Sequence, residues 1–439
     1  MSCSQWKEYS LGEIYDFSSG LSKKREDFGF GAPFLTFKEV FNNYFLPNEL
    51  IELVNSSEKE QLKCSVKRGD VFLTRTSENQ DELGLSSVAL KDYPHATFNG
   101  FTKRLRPRTS DIILPEFAGY YFRSPRFRSQ VTSMSSITTR ASLNNSMLSV
   151  LKIVAPPLEE QKKIFLLLSS LDKKIENNTL MNDTLEEIAQ AIFKRWFIDF
   201  EFPKEDGVPF RSGGGNFINT DFGLIPATWE ISTLKEFISV QNGFAFKSKD
   251  FKEHGEFGVV KIKNISNGVV DINNTQFINQ SIAEKTNSKF LVSGSDVLIA
   301  MTGAEVGKIG VVPQTEKTLY LNQRVGKLKQ KVNGGKAYAF YSLNRPSVQE
   351  QIKSLAMGSA QPNISSTGLE SIKVVNPSRD VLDKFGRLVN SIIQKYASNL
   401  YQNNILIDLR KTLLPKLTSG DIRIPEAEKE VEECLQKSN

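Results

Sequence analysis

The apolar residues of this 439-residue chain follow two different periodicities, and each periodicity occurs twice. Short apolar runs of β type, broken by Gly, Asn, Ser and Pro, fill the stretches 6–156 and 229–377. Such runs between turn residues are typical of strands, and a few helical segments lie among them. The pattern predicts a compact α+β domain for each stretch.

After Pro156 and after Pro377 the apolar positions recur at alternating steps of four and three residues. This spacing is that of a coiled-coil seam, and it predicts two helices of about 40 residues, each about 60 Å long. A helix of this length with one apolar seam needs a partner, and the other copy is the obvious one. We therefore predict an antiparallel intramolecular coiled coil.

A pseudo-twofold axis near Leu180 and Tyr401 would set the register of this helix pair and place the two mixed domains at its opposite ends. Buried Asn pairs fix the register of a coiled coil at a cost in stability. The alternative is that the Asn residues lie at the wet edge of a loose seam. The predicted seam pairs are Ile175 with Leu406, Asn178 with Asn403, Asn182 with Asn399, and Leu185 with Tyr396.

The chain is an internal repeat. WKEYSLGEI from Trp6 recurs as WEISTLKEFI from Trp229, 223 residues later. The similarity continues at an offset of 221 into the second helix. Solenoid repeats have periods of ~20–50 residues, so this period indicates two copies of a whole module instead. The function has to be one that needs two copies.

The composition is that of an ordinary folded protein, with 39% hydrophobic and 24% charged residues. We expect no membrane span, because no run of ~18 apolar residues occurs. The first residues lack a signal-peptide pattern, and three scattered cysteines suit a reducing compartment, so a cytoplasmic location is expected.

The net charge of +6 is concentrated in the same part of both copies. Residues 96–156 and residues 316–378 each contain nine Lys or Arg and few acids. A basic patch that occurs twice favours a polyanionic partner, whereas the alternative is a solvated basic surface.

Signatures of catalysis are missing. The only two histidines, His95 and His254, occupy non-matching positions, which argues against a duplicated triad or metal site. GAEVGK from Gly303 is one residue short of a phosphate-binding loop, and Ile309 stands where that loop needs Ser or Thr. The chain is predicted to recognise a ligand without transforming it.

Four segments resemble the specificity (S) subunits of type I restriction–modification enzymes. They are APPLEEQKKI from Ala155, AIFKRWFIDFEFP from Ala191, DFGLIPATWEISTL from Asp221 and LRKTLLPKLTSGDIRI from Leu409. The second helix departs from the first where RDVLDKF replaces LEEQKKI.

The resemblance implies two target-recognition domains alternating with two helical conserved regions. The predicted parts are target-recognition domain 1 at 1–156, a central helical region at 157–200, a flexible linker at 201–224, target-recognition domain 2 at 225–377, a C-terminal helical region at 378–418, and a charged tail at 419–439.

The resemblance also implies a function. Each domain would read one half of a bipartite, asymmetric sequence in double-stranded DNA, and the helices would set the spacer between the halves. The chain would dock two methyltransferase subunits and, in the full complex, restriction endonuclease/translocase subunits. Those partners would carry S-adenosylmethionine, ATP and Mg²⁺, and the chain itself would bind no cofactor or metal. The alternative is a two-domain adaptor that binds protein partners without DNA.

The residues predicted to contact DNA lie where strands pass into polar loops, because base edges are read by Arg, Lys, Asn and Gln. In the first domain they are Lys23, Lys24, Arg25, Arg75, Lys103, Arg104, Arg140 and Asn144. In the second domain they are Lys247, Lys249, Thr302, Lys308, Arg324, Lys327, Gln361 and Asn363. Gly20, Gly243 and Gly303 are predicted to form turns, and Trp6 and Trp229 to anchor the cores.

Overall fold

A computed structural model describes residues 6–77, 79–134, 141–357 and 362–436 of the chain. The chain divides into two compact units, the first made of residues 1–174 and 405–439 and the second of residues 175–404. Each unit therefore holds one mixed domain and a segment of each long helix. No helix in the described part of the chain is long and apolar enough to cross a membrane.

The mixed domain of the first unit contains eleven short strands and six short helices among its described residues. The strands are β1 (Lys7–Ser10), β2 (Tyr15–Ser19), β3 (Phe28–Leu35), β4 (Leu53–Val54), β5 (Val71–Thr74), β6 (Thr76–Ser77), β7 (Ser86–Val88), β8 (Thr97–Phe98), β9 (Thr102–Pro107), β10 (Ala141–Ser142) and β11 (Lys152–Ala155). The helices are α1 (Leu11–Ile14), α2 (Phe37–Asn42), α3 (Glu58–Lys63), α4 (Pro115–Tyr121), α5 (Pro125–Met134) and α6 (Asn145–Val150).

The first long helix, α7 (Leu158–Phe197), leads into the second mixed domain. The strands that follow are β12 (Phe217–Thr220), β13 (Gly223–Pro226), β14 (Glu230–Thr233), β15 (Ile238–Asn242), β16 (Phe257–Val260), β17 (Ile265–Ser266), β18 (Gly268–Val270), β19 (Gln276–Ile278), β20 (Leu291–Val292), β21 (Val297–Ala300), β22 (Ile309–Val311), β23 (Thr318–Leu321), β24 (Val325–Gln330) and β25 (Lys373–Asn376). The helices are α8 (Gln280–Ala283), α9 (Gly335–Leu343), α10 (Pro346–Ala356), α11 (Ser366–Glu370), the second long helix α12 (Arg379–Ser419) and α13 (Ile424–Gln436).

Both domains are built around an equivalent central sheet. Its strand order is β2-β9-β5-β7 in the first domain and begins β15-β24-β21-β22 in the second, where β18 and β17 extend it. Phe17 faces Leu105 and Val240 faces Leu328, so the register repeats at the 223-residue offset of the sequence. Each domain also has a smaller sheet, with strand order β4-β3-β8 in the first domain and β19-β16-β23-β20 in the second. In addition, β1 pairs with β11 and β14 pairs with β25.

The strands at the centre of these sheets are buried on both faces, which explains their unbroken apolar runs. VFLT in β5 and VLIA in β21 are buried at every position. A strand that alternated polar and apolar residues would expose one face to water. The α+β fold class predicted from the apolar pattern is therefore confirmed.

The two long helices have the lengths that the seam periodicity predicts, 40 residues for α7 and 41 for α12. Helix α7 carries Glu159 and Glu160 in its first turn and Lys194 and Arg195 in its last, and both pairs suit the helix dipole. Pro415 lies inside α12, close to its C-terminal end.

Two Asn pairs join the helices within the second unit. Asn178 Nδ2 donates to Asn403 Oδ1 at 2.9 Å, and Asn399 Nδ2 donates to Asn182 Oδ1 at 2.9 Å. Residue numbers rise on one helix as they fall on the other, so these segments are antiparallel. All four side chains are buried, so the alternative of a wet edge is wrong.

The remaining predicted seam residues are less uniform. Leu406 is buried, whereas Ile175, Leu185 and Tyr396 are half-buried. The Asn pairs are therefore more completely enclosed than three of the four residues predicted to flank them.

Parts of the chain that were predicted to be a flexible linker or a charged tail are packed. Phe202, in the predicted linker, is buried and stacks on Trp229 with 4.6 Å between ring centroids. In the tail, α13 buries Ala427 and Val431. Aromatic and apolar residues at these positions draw both segments onto the cores, although the linker also contains three consecutive glycines.

Candidate nucleic-acid interface

Loops from several strands meet at one edge of each central sheet, where β2 and β5 end and β9 begins. The register places Ser19 opposite Lys103 and Thr74 opposite Thr102. In the second domain Asn242 lies opposite Gly326 and Ala300 opposite Val325. We call this the loop edge; it comprises residues 19–25, 74–77, 99–103 and 142–145 in the first domain, and 242–249, 300–308, 322–327 and 363–365 in the second.

The same Asn-based turn is present at both loop edges. In the first domain Asn99 Oδ1 accepts the Phe101 N–H at 2.7 Å, and the Thr102 N–H donates to the Asn99 carbonyl. In the second domain Asn322 Oδ1 accepts the Arg324 N–H at 3.4 Å. An Asn side chain that bonds the backbone two residues on holds a tight turn, so the third residue of each turn has a defined position.

A glycine lets a second loop lie directly against this turn. A Cβ added to Gly20 would lie 2.2 Å from the Phe98 carbonyl oxygen, and one added to Gly243 would lie 2.3 Å from the Asn322 carbonyl oxygen. No other residue fits such a close backbone approach. These glycines were predicted to form turns, and the structure shows that their role is close approach. Gly303 does have a left-handed backbone, with φ of +76°.

Three of the predicted DNA contacts have buried charged ends that bind the protein itself. Lys103 Nζ donates to Ser19 Oγ and to Asn145 Oδ1, at 2.9 and 2.8 Å. Burial, and secondarily the neighbouring Arg75, lower the Lys103 pKa. Lys103 thus fastens α6 to the central sheet and has a structural role.

Arg104 and Lys327 are engaged in the same way. Arg104 Nη1 donates to the Ser65 carbonyl at 2.6 Å, and Lys327 Nζ donates to the Leu291 carbonyl at 2.7 Å. The two residues are equivalent, because Arg104 lies opposite Phe72 and Lys327 lies opposite Leu298 in the matching strand pair. The charged ends of both side chains are therefore bound to backbone carbonyls of the protein itself.

Five predicted contacts present exposed cationic side chains at the loop edges. They are Lys24, Arg25, Lys247, Lys249 and Arg324. Two other predicted cations form ion pairs. Lys23 is half-buried and lies 2.9 Å from a Glu60 carboxylate oxygen, and Lys308 is exposed and pairs with Glu305.

Two polar residues at the loop edges have buried atoms with no hydrogen-bond partner. These atoms are Arg75 Nε and Thr302 Oγ1, and both residues are half-buried. Buried polar atoms without partners are uncommon in folded proteins. Neither atom is exposed to solvent, so each would have to be uncovered before it could bind a ligand.

The remaining predicted contacts are of three kinds. Asn144 caps α6, and its Oδ1 accepts the Met147 N–H at 2.8 Å. Asn363 is exposed and bridges to Thr302 through the backbone. Arg140 and Gln361 lie outside the described residues.

Backbone hydrogen bonds show which residues of the two domains are equivalent. The Arg75 carbonyl accepts the Leu143 N–H, and the Met301 carbonyl accepts the Ile364 N–H in the same way. Arg75 is therefore equivalent to Met301 and not to Thr302. Asn144 is equivalent to Ser365, because both cap the helix that follows.

Sequence reasoning missed the most exposed aromatic residue at a loop edge. Phe101 is 60% exposed and follows Asn99 and Gly100. The Asn-Gly dipeptide is a turn signal, and an aromatic residue directly after it could have been recognised as a surface position. The equivalent residue in the second domain is Arg324, which is also exposed.

The described residues contain no group of three or more His, Cys, Asp or Glu that could hold a metal ion. The geometry instead offers two similar loop edges with cationic, amide and aromatic side chains. Such groups bind phosphates and base edges.

Comparison with known protein families distinguishes between DNA and protein as the ligand of the two domains. Residues 3–190 and 226–407 both match the family described as type I restriction modification DNA specificity domain. The chain belongs to this family. Its two matched segments contain the two mixed domains and most of the two long helices, so the repeat is a duplicated DNA specificity domain.

Similar proteins span nearly the whole chain. It is 28% identical over 422 residues to the type I restriction enzyme MjaIX specificity subunit of Methanocaldococcus jannaschii, covering 95% of this chain and 92% of that protein. It is 26% identical over 480 residues to the HindI specificity subunit of Haemophilus influenzae, covering 95% and 100%. The S subunit of a type I system from M. genitalium has the same fold, with a TM-score of 0.60, 17% identity, and 94% and 96% coverage.

Membership of this family makes the chain a DNA-recognition subunit that is not itself an enzyme. The alternative of an adaptor that grips only protein partners is not favoured. Members of the family bind DNA and assemble with other subunits of a type I system.

Proposed function

We propose that the chain reads a bipartite, asymmetric DNA sequence, one half with each loop edge, and that the two long helices set the unread spacer. The observation that carries this proposal is that the same Asn turn presents Phe101 in one domain and Arg324 in the other. Shared scaffolds with different exposed side chains suit two half-sites of different sequence.

We expect only some of the residues predicted from the sequence to contact DNA. We retain the exposed cations Lys24, Arg25, Lys247, Lys249 and Arg324, together with the half-buried Arg75 and Thr302. We expect Lys103, Arg104 and Lys327 to act as scaffold residues, since their charged ends are already bound.

The catalytic partners belong to the same proposal. Two methyltransferase subunits would dock on the chain and supply S-adenosylmethionine, and restriction endonuclease/translocase subunits would supply ATP and Mg²⁺ chemistry. Methylation of a base requires that it be flipped into a catalytic pocket. We place that pocket on a partner subunit.

Selection from a random duplex library tests this function. The full chain is reconstituted with the methyltransferase subunit of the same cell, and bound duplexes are sequenced at moderate salt, because phosphate contacts make affinity salt-dependent. We expect one motif with two specified parts and a fixed gap. A single continuous motif, or no enrichment at all, would contradict the proposal.

The spacer assignment is tested separately by inserting seven residues into both α7 and α12 at matched points. Seven residues preserve the seam phase and add about 10 Å to each helix. We expect either a longer gap in the selected motif or loss of binding. An unchanged gap in a binding-competent protein would show that the helices do not set the spacer.

A further inference from the structure

We infer that the third residue of each Asn turn is a specificity-determining residue: Phe101 packs against a thymine methyl group in one half-site, and Arg324 hydrogen-bonds a guanine in the other. This inference rests on the proposed function and names the chemistry by which each domain distinguishes bases.

The first step of the argument is the exposure of Phe101. A Phe side chain that stays mostly exposed gains little from folding, because most of its apolar surface remains in water. Phe101 is 60% exposed, although its backbone is held on both sides by hydrogen bonds. The Phe101 N–H bonds Asn99, and the Phe101 carbonyl accepts the Arg75 N–H at 2.8 Å.

The second step is the equivalence of Phe101 and Arg324. The Arg324 N–H bonds Asn322, and the Arg324 carbonyl accepts the Met301 N–H at 3.0 Å. Both residues therefore leave the same backbone scaffold at the same point. Because each scaffold also has the close Gly contact of the adjacent loop, domains that dock alike would present these two side chains to the same groove.

The third step identifies that groove. In the major groove, Arg binds guanine O6 and N7 with two hydrogen bonds, and Phe contacts the 5-methyl group of thymine. The minor groove is about 6 Å wide and offers Arg a degenerate pattern. The loop edge gathers three loops and the start of a helix around the turn, which fits the wider major groove of about 12 Å.

The neighbouring side chains are consistent with readout at this position. Asn144, Asn145 and Ser142 are exposed on the segment next to the turn in the first domain. Lys24 and Arg25 are exposed on the loop that the Gly20 contact holds against the turn. Cations would contact phosphates at the rim while the turn residue reaches a base, which is the usual division of roles.

The first test uses the unaltered protein and therefore does not depend on the folding of a variant. Once selection has defined the motif, each thymine of the half-sites is replaced by deoxyuridine, which lacks only the methyl group. We expect one replacement, in one half-site, to weaken binding by about fourfold, the value for burial of one methyl group. In Phe101→Ala the same replacement should have no effect.

The second test repeats the library selection with variants. Phe101→Ala should relax the preference for thymine at one position and leave the other half-site unchanged. Arg324→Ala should relax a preference for guanine in the opposite half-site by roughly 5- to 150-fold. Phe101→Arg should introduce a guanine preference in the first half-site.

Matched controls separate these effects from general losses. Phe222→Ala removes another exposed phenylalanine, and Arg387→Ala removes another exposed arginine, both outside the loop edges. Both should leave the motif unchanged. Thermal unfolding of every variant checks that the fold is intact, as expected for exposed positions.

The outcomes distinguish this inference from the proposed function. Failure to recover a two-part motif with the unaltered chain would overturn the proposed function. A two-part motif that is the same in Phe101→Ala and Arg324→Ala would overturn only this inference. Weaker binding to all sequences in Phe101→Ala, with base preferences and the deoxyuridine effect unchanged, would indicate a wedge or backbone contact and would also overturn it.

Discussion

The two tryptophans that open the repeated domains occupy equivalent sequence positions but have opposite surroundings. Trp6 is half-buried, and its Nε1–H donates to Glu160 Oε2 at 3.0 Å. Arg423 forms an ion pair with the same carboxylate at 2.6 Å and lies 5.9 Å from the Trp6 ring centroid. Trp229 is buried, stacks on Phe202, and has no partner for its Nε1–H.

The 221-residue offset of the helices explains this contrast. It equates Glu160 with Val381 and Arg423 with Phe202, so the charged pair around the first tryptophan becomes an apolar pair around the second. Val381 and Phe202 belong to the same buried core as Trp229. An uncharged neighbourhood offers the second indole N–H no acceptor.

A second pair of positions shows the same divergence. Arg410 pairs with Asp172, and the Tyr120 hydroxyl donates to the other oxygen of that carboxylate at 2.6 Å. The offset equates Asp172 with Ile393 and Arg410 with Ala189, and both of these are buried. Arg410 departs from the apolar seam because its unit contains this charged network.

The comparison teaches that a duplicated helix–domain contact can keep its geometry while its chemistry changes from charged to apolar. Charged pairs contribute little unless they are buried and fully hydrogen-bonded, whereas aromatic burial contributes several kcal/mol per side chain. We therefore expect the first unit to depend on pairs of residues and the second unit on single large side chains.

The largest effect is expected for Trp229→Ala. Removing a buried indole should lower the unfolding free energy of the second unit by about 3–5 kcal/mol. Trp6→Ala should cost clearly less, because that ring is half-buried. Hydrogen exchange resolved by segment measures the unfolding free energy of each unit separately, and Phe222→Ala serves as an exposed aromatic control. Equal losses of unfolding free energy in Trp6→Ala and Trp229→Ala would contradict the contrast between the two units.

An intermediate effect is expected for Arg410→Ala. The variant leaves Asp172 without its cation in a partly buried site, and should destabilise the first unit by about 1–2 kcal/mol. The double variant Asp172→Ile, Arg410→Ala gives these two positions the residue types of their equivalents in the second unit. This double variant should recover at least half of the loss in urea unfolding; strictly additive losses would show that the two networks are not interchangeable.

A smaller effect, of opposite sign, is expected for Ser295→Gly. Ser295 has φ of 63°, and the equivalent position in the first domain is Gly69, with φ of 88°. Glycine tolerates this conformation without strain, but the Gln314 bond to Ser295 Oγ would be lost. We expect a net gain of about 0.5 kcal/mol. A lower melting temperature for the second unit would contradict this expectation.

The smallest effect is local and concerns pH. The Ser57 backbone N–H, and next the Lys23 side chain, hold the pKa of Glu60 at about 2. Because this pKa lies below the unfolded value of about 4.3, the contribution of Glu60 is present above pH ~4.3 and is lost as pH falls toward 2. Carboxyl NMR titration should give the low midpoint, and Lys23→Ala should raise it; no change would exclude the ion pair as a cause.

Sequence reasoning located the long helices and their Asn pairs because a seam of fixed period depends only on residue spacing. It also located these strands, since VFL in β5 and VLIA in β21 are unbroken apolar runs. It did not distinguish Lys103, Arg104 and Lys327 from surface cations. Whether a basic side chain on a strand finds buried carbonyl acceptors depends on segments distant in the chain, and no local pattern records them.

The duplicated architecture and the family were determined by the sequence alone, because repeat spacing and apolar period are properties of the linear chain. Tertiary structure alone decided which charges are bound inside the fold, which turn residue is exposed, and why one tryptophan has a charged neighbourhood and the other an aromatic one. The physical reason is that hydrogen-bond satisfaction and burial are set by partners that folding brings together.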